Sequence, residues 1–312
     1  MRDNFLSLKG RDFLTLSDFS ADELWHILEK ALEVEKNLNN FSGVLAGKFF
    51  ALIFEKPSTR TRVSFEVAIR QLGGFPLTLN WVELQLGRGE TVRDTAKTLE
   101  RYVHGIIARV NEHKTLLELA KSAEIPVINA LSNLYHPCQA LADMLTVYKL
   151  KGRLKGLKLA WVGDGNNVCH SLLVACSKFG LDVSVATPKG YEPKKEVLEK
   201  ALEEAKNSGS KIELTNNPEE AVKDADIVYT DTFVSMGKEA EKRKRLKVFL
   251  PNFQVTLKLF NHTKKDCVFM HCLPAKRGEE VTSEVIDGPR SVVWFQAENR
   301  LHLQRGLLTL IF

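Results

Sequence analysis

The sequence predicts an α/β protein of two lobes, each a parallel β-sheet flanked by helices. Three observations carry that expectation. Short apolar runs alternate with longer amphipathic segments from about residue 49 to about residue 296, which is the rhythm of repeated strand–helix units. Most runs are too short and too apolar for antiparallel strands with one wet face, so they read as strands buried on both faces. The chain has 312 residues, about two domains at roughly 150 residues each.

In chain order the candidate strands are 49–54, 105–110, 127–130, 157–162, 183–187, 212–215, 226–230, 268–271 and 291–295. The helices expected around them are 20–38, 59–72, 92–104, 136–150, 167–179, 192–207 and 297–310. The run 49–54 reads FFALIF and is closed by Glu55 and Pro57, after which the hydroxyls of Ser58, Thr59 and Thr61 are suited to cap a helix. Pro137 suits a first helical position, which puts His136 beside the N-cap of 136–150. The run 157–162 enters the turn Gly163-Asp164-Gly165-Asn166 before the helix at 167. Between a helix and a strand, the stretch 149–156 (KLKGRLKG) turns basic and glycine-containing, so the lobe boundary is placed there. The expected domains are residues 1–150 and 151–296.

Composition narrows the class. With 44 Lys and Arg against 39 Asp and Glu, a charge of +5, 44% hydrophobic and 27% charged residues, the chain is ordinary globular protein and neither disordered nor fibrous. A charge this small does not predict nucleic acid. The longest apolar stretches fall far short of the ~20 residues that span a bilayer, and Met1-Arg2-Asp3 begins no signal-peptide core, so no membrane association and a cytoplasmic location are expected. Cys138, Cys169, Cys176, Cys267 and Cys272 contain no CxxC pair, which argues against a disulfide framework or a thiolate zinc site and for a reducing compartment.

Ligands of parallel sheets bind outside the carboxyl ends of the strands, and the residues there are rich in chemistry. Ser58-Thr59-Arg60-Thr61-Arg62 crowds hydroxyls and guanidinium groups at a helix start, where backbone N–H groups and the helix dipole favour a phosphate dianion. By itself the segment also fits a plain N-cap with solvated arginines. It lacks the glycines and lysine of a P-loop. Arg109, near the end of an apolar run, needs a partner, either a bound anion or a structural acid. His136 and Gln139 share a helix face; a neutral His136 would donate to a carbonyl oxygen and Gln139 would bind an amide, although a His at a helix start is more often a structural cap. The turn at Gly163 resembles a dinucleotide fingerprint, but Val168 stands where that fingerprint needs Gly or Ala. Asn167 is then available to a small carboxylate and Asp231 to an ammonium, with Ser235 just beyond. Cys272 precedes Leu273-Pro274, a candidate cis bond, and is either a ligand contact or core filler. The run 242–247 (KRKRLK) reads as a solvated helix face.

Seven ordered segments together resemble the aspartate and ornithine carbamoyltransferase family, and within it the members that use ornithine. They are FEKPSTRTR (54–62), LQLGRGE (84–90), HPCQALAD (136–143), GDGNN (163–167), DTFVSMG (231–237), HCLPAKRGEE (271–280) and AENRLH (297–302). Gln296, before AENR, departs from the acidic residue more often found there, which puts no ligand position in doubt. The resemblance implies transfer of a carbamoyl group from carbamoyl phosphate to the δ-amine of L-ornithine, in arginine metabolism, with no metal and no cofactor. It implies that Ser58, Thr59, Arg60, Thr61, Arg109, His136, Gln139 and Arg300 bind carbamoyl phosphate, joined by Gln85 from a neighbouring subunit. Ornithine falls to Asn167, Asp231, Ser235, Met236, Cys272 and Leu273, and the catalytic set is Arg60, Arg109, His136 and Cys272. It further implies that the C-terminal helix, 297–312, packs back on the first lobe, and that the enzyme is a homotrimer or a larger assembly of trimers. Sister enzymes acting on acetylornithine or putrescine are the nearest alternatives; a dehydrogenase leaves STRTR, HPCQ and HCLP without a role.

Overall fold

The computed structural model describes residues 7–235 and 237–312. The chain divides into two compact units, one running to Leu145 and including Glu298–Phe312, the other Thr146–Ala297. The first holds a four-stranded sheet in the order β2-β1-β3-β4, where β1 is Phe49–Phe54, β2 Phe75–Asn80, β3 Gly105–Arg109 and β4 Val127–Leu131. The second holds five strands in the order β7-β6-β5-β8-β9, where β5 is Lys158–Val162, β6 Asp182–Ala186, β7 Ile212–Thr215, β8 Ile227–Thr230 and β9 Val268–His271. Every strand pair is parallel, so the expected pair of helix-flanked parallel sheets is the fold observed.

Burial explains the apolar runs. Phe50 through Ile53 of β1, and Ile106 to Ala108 of β3, are fully buried because helices cover both faces of the sheet. In the second unit Ala160, Val162, Val228 and Phe269 share a core with Phe233, Phe249, Phe253 and Val255. The helix Asn167–Phe179 has the bounds its sequence predicts: Asn166 caps its start, accepting from the Val168 and Cys169 N–H groups, and Gly180 ends it at φ +76°.

Two sequence expectations change. Residues 291–295 are not a strand: Ser291 makes one isolated bridge to Phe269, and a helix begins at Val293 and continues to Ile311. The apolar run was ambiguous in period, and packing selects the helical one, with Val293 and Gln296 buried while Trp294 is 68% exposed. Conversely, β2 was not anticipated. Its sequence FPLTLN is half-exposed and carries Pro76, which a central strand excludes but an edge strand accommodates.

From Glu298 onward the C-terminal helix packs within the first unit. The Phe312 ring lies edge-on to Phe50 with centroids 4.8 Å apart. Gly306 faces the helix Ala21–Lys36 so closely that a Cβ there would lie 2.5 Å from the Ala31 nitrogen. Among the described residues no helix is long and apolar enough to cross a membrane. The five cysteines are free, and only Cys272 escapes full burial.

Candidate active site

In the first sheet the chain leaves β1 toward β2 and leaves β3 toward β4, so the strand order reverses between β1 and β3. A crevice opens at such a switch point. Phe54 and Arg109 are in register there, which brings Ser58 beside Arg109: the guanidinium Nη1 donates to Ser58 Oγ at 3.2 Å. Ser58 occupies the N-cap of the helix Thr59–Gln71 without making a side-chain cap bond. That corrects the expectation of hydroxyl capping, because Ser58 Oγ is turned to the arginine instead. Glu55 ties the strand ends together, its N–H donating to the Arg109 carbonyl (2.9 Å) and its carboxylate accepting from the Asn111 N–H (2.6 Å).

Arg300, on the C-terminal helix, is buried against this helix start. Its Nη2 donates to Thr61 Oγ1 (3.0 Å) and its Nη1 to Gln139 Oε1 (3.1 Å), while Gln139 Nε2 donates to Asp143 Oδ1 (2.8 Å). Gln139 therefore links a buried acid to a buried arginine. His136 is buried at the start of the helix Pro137–Lys151. Burial holds its imidazole well below the usual 6.5, and the charges of Arg300, Arg109 and Arg60 push the same way. The ring is thus neutral, as expected, but its cause is desolvation and three cations and not the helix end alone. The structure brings together Ser58, Arg60, Thr61, Arg109, His136, Gln139 and Arg300. Thr59 is exposed and helps to line a cavity of about 740 Å³ with Ser58, Arg62, Glu66 and Trp81. Gln85 is exposed on the short turn Gln85–Arg88; its carbonyl accepts from the Glu90 N–H at 3.0 Å, and its side chain makes no hydrogen bond among the described residues.

The second sheet reverses between β5 and β8. Asn166, after β5, donates from Nδ2 to Asp231 Oδ2 at 2.7 Å, and Cys272, after β9, donates from Sγ to Asp231 Oδ1 at 3.2 Å. Both oxygens of Asp231 are thereby oriented. Asn167 is the first residue of its helix, half-buried. Ser235 is half-buried, and its Oγ has no hydrogen-bond partner among the described residues; Met236 lies outside them. Leu273 adopts φ +58°, a region costly for a branched side chain, and its N–H donates to His271 Nδ1 at 2.8 Å. The Leu273–Pro274 bond is cis. With Nδ1 accepting, the His271 proton sits on Nε2 and points at Glu280 Oε1, 3.1 Å away. Donor atoms of Asp231, His271 and Cys272 lie within 4.8 Å of one another, but both His271 ring nitrogens are engaged, so the trio does not offer three free metal ligands.

Sequence reasoning missed several residues. Asn166 stood one position before the residue singled out, and its N-cap position was the available signal. Gln296, noted only as a departure, accepts from the His271 N–H (2.9 Å) and donates to Tyr229 Oη (2.9 Å). Arg245 corrects the reading of 242–247 as a solvated face: Lys242 to Lys244 are exposed, but Arg245 is 2% exposed and ion-paired with Asp164. Its burial comes from Tyr191 and Phe249, whose rings it stacks on. Burial pushes the Asp164 carboxyl up to about 6, outweighing the Arg245 charge.

Each of the two parallel-sheet units carries polar side chains at its switch point, cations in the first and a carboxylate beside a thiol in the second, which is the arrangement of an α/β enzyme. The chain belongs to the aspartate/ornithine carbamoyltransferase family: the profile of its carbamoyl-P binding domain matches residues 11–149, and that of its Asp/Orn binding domain matches residues 155–311. It is 56% identical over 308 residues to the ornithine carbamoyltransferase of Pyrococcus horikoshii, covering 98% of this chain and 97% of that one. To the Bacillus subtilis ornithine carbamoyltransferase it is 56% identical over 305 residues, covering 98% and 95%. The solved structure of ornithine carbamoyltransferase from Pyrococcus furiosus superposes with a TM-score of 0.94 at 56% identity, covering 98% of each chain. That from Thermus thermophilus superposes at 0.87 with 44% identity, covering 96% of this chain and 99% of that one.

Proposed function

We propose that this chain transfers the carbamoyl group of carbamoyl phosphate to the δ-amine of L-ornithine, giving L-citrulline and phosphate. The observation that carries the choice of acceptor is the Asp231 carboxylate, fixed by Asn166 and Cys272 at the end of β8. A single oriented anion holds an ammonium group and repels the second carboxylate of aspartate. It also favours a free α-amine over the acylated amine of acetylornithine, while Asn167 serves a carboxylate that putrescine lacks. The same acceptor is named for the relatives from both archaeal and bacterial sources.

In this reading Ser58, Thr59, Arg60 and Thr61 bind the phosphate at their helix start, with Arg109 and Arg300 supplying guanidinium forks. Gln139 holds Arg300, and Gln85 reaches the donor from a neighbouring copy. Asn167, Asp231, Ser235 and Met236 hold the amino-acid end of ornithine, and Cys272 with Leu273 orients the δ-amine.

The chemistry is acyl transfer. The lone pair of the neutral δ-amine attacks the carbonyl carbon, and the carbonyl oxygen becomes an oxyanion. Collapse of that intermediate breaks the bond to the phosphate oxygen, which leaves with the electron pair, and the amine's surplus proton passes to phosphate or water. Neutral His136 and Arg109 stabilise the oxyanion, and Arg60 the leaving dianion. Ornithine's amine, with a solution pKa near ~10, has to enter deprotonated, which a desolvated site favours.

We assign a homotrimer, supported by the exposed position of Gln85, and a cytoplasmic setting, supported by five free cysteines. Citrulline formation from carbamoyl phosphate and ornithine tests the function, run beside acetylornithine, putrescine and aspartate. Preference for ornithine, lost in Arg60→Ala, is expected. Preference for another amine would overturn the acceptor assignment.

A further inference from the structure

Arg245 contacts no strand end itself, yet it connects the segments that surround Asp231. Its guanidinium pairs with Asp164, in the turn after β5. Its Nε donates to the Phe233 carbonyl at 2.6 Å, in the segment between Asp231 and Ser235. Its Nη1 lies 3.4 Å from Glu241 Oε2, one turn earlier on the same helical stretch. The rings of Tyr191 and Phe249 cover it, at 4.9 and 5.7 Å from the guanidinium carbon, and Phe249 stacks on Phe233 with centroids 4.6 Å apart. Asp164 is anchored from its other side, since its carbonyl accepts from Trp161 Nε1 at 3.1 Å. Two residues on, Asn166 holds the Asp231 carboxylate.

We infer that Arg245 is a positioning residue for the acceptor amino acid: one buried guanidinium locks the Asp164–Asn166 turn to the Phe233 backbone, and so sets where Asp231 and Ser235 stand. This inference rests on the ornithine reading above. A planar fork is needed because the charge must serve Asp164 from one nitrogen while Nε serves a backbone carbonyl. Lysine retains the charge and loses that geometry. Since Asp231 and Ser235 touch the acceptor and not the donor, loss of the lock moves one Michaelis constant and leaves the other.

The test compares wild type, Arg245→Gln and Arg245→Lys in steady-state citrulline assays with each substrate varied in turn, alongside thermal unfolding. The expected result for both variants is an ornithine KM raised at least about tenfold, with the carbamoyl phosphate KM within about twofold of wild type. A merely structural role lowers the melting temperature and leaves the ratio of the two constants unchanged; that result overturns the inference. Should Arg245→Gln yield no folded protein, Arg245→Lys is read by the same ratio. Citrulline from the wild type together with an unmoved ornithine KM sinks the role of Arg245 alone, whereas no citrulline from the wild type sinks the ornithine reading and this inference with it.

Discussion

Replacing Gly306 by alanine sets two known effects against each other on the C-terminal helix. Helix propensity alone favours alanine by about 1 kcal/mol over glycine. The structure opposes it, because a Cβ at 306 would meet Ala31 N at 2.5 Å, Ala31 Cα at 2.6 Å and Ala31 Cβ at 2.9 Å, where ordinary contact begins near 3.4 Å. Two of those atoms are backbone of a regular helix and have no rotamer to escape into. Overpacking a tight site costs about 1–3 kcal/mol, and backbone obstruction places this case in the upper part of that range. The net expectation is about 1–2 kcal/mol of destabilisation, a fall in melting temperature of roughly 2–8 °C at ~2–4 °C per kcal/mol. Calorimetric and urea unfolding of wild type and Gly306→Ala measure it. A rise in melting temperature would refute the reasoning, showing that helix propensity outweighs the overlap with Ala31. Arg300 rides on the same helix and donates to Thr61 and Gln139, so the shift that relieves the overlap also raises the carbamoyl phosphate KM.

Other expectations follow from the buried groups. His136 is held well below its usual 6.5, so the unfolded chain takes up a proton that the native state refuses. Its contribution to stability is therefore complete above about pH 6.5 and is lost as pH falls below that value. Urea midpoints measured from pH 8 to 5 should decline less steeply for His136→Gln, and activity should show no imidazolium limb near pH 6.5. For Cys272, removing one thiol hydrogen bond to a carboxylate costs about 1.5–3 kcal/mol, so Cys272→Ala should lose about ten- to two-hundredfold in kcat/KM and keep measurable turnover. Loss of a true nucleophile removes at least about 10⁴-fold, and trapping a thiocarbamate on Cys272 would refute an orienting role.

Much of the candidate site is visible along the chain because its polar residues stand just after apolar runs. Arg60 after β1 and Asp231 after β8 are conspicuous for that reason. Other members carry no local mark. Arg245 sits in a basic run whose neighbours are solvated, and only Tyr191, Phe249 and Asp164, distant in sequence, make it a buried ion. The anticipated Ser58 cap fails for a similar reason: a hydroxyl's choice between its own helix and Arg109 depends on a strand more than forty residues away.

By itself the sequence determined eight of the nine strands and most of the long helices, because side-chain period and proline act over a few residues. It also determined the family, through seven ordered motifs that the profile matches over residues 11–149 and 155–311 bear out. Only the tertiary structure decided strand order, and with it the neighbours that make chemistry: β1 beside β3 joins Ser58 to Arg109, and β5 beside β8 joins Asn166 to Asp231. It also decided that residues 293–295 are helix and that β2 takes the edge. A local pattern records whether a residue is buried; what it is buried against is set by contacts across the whole sheet.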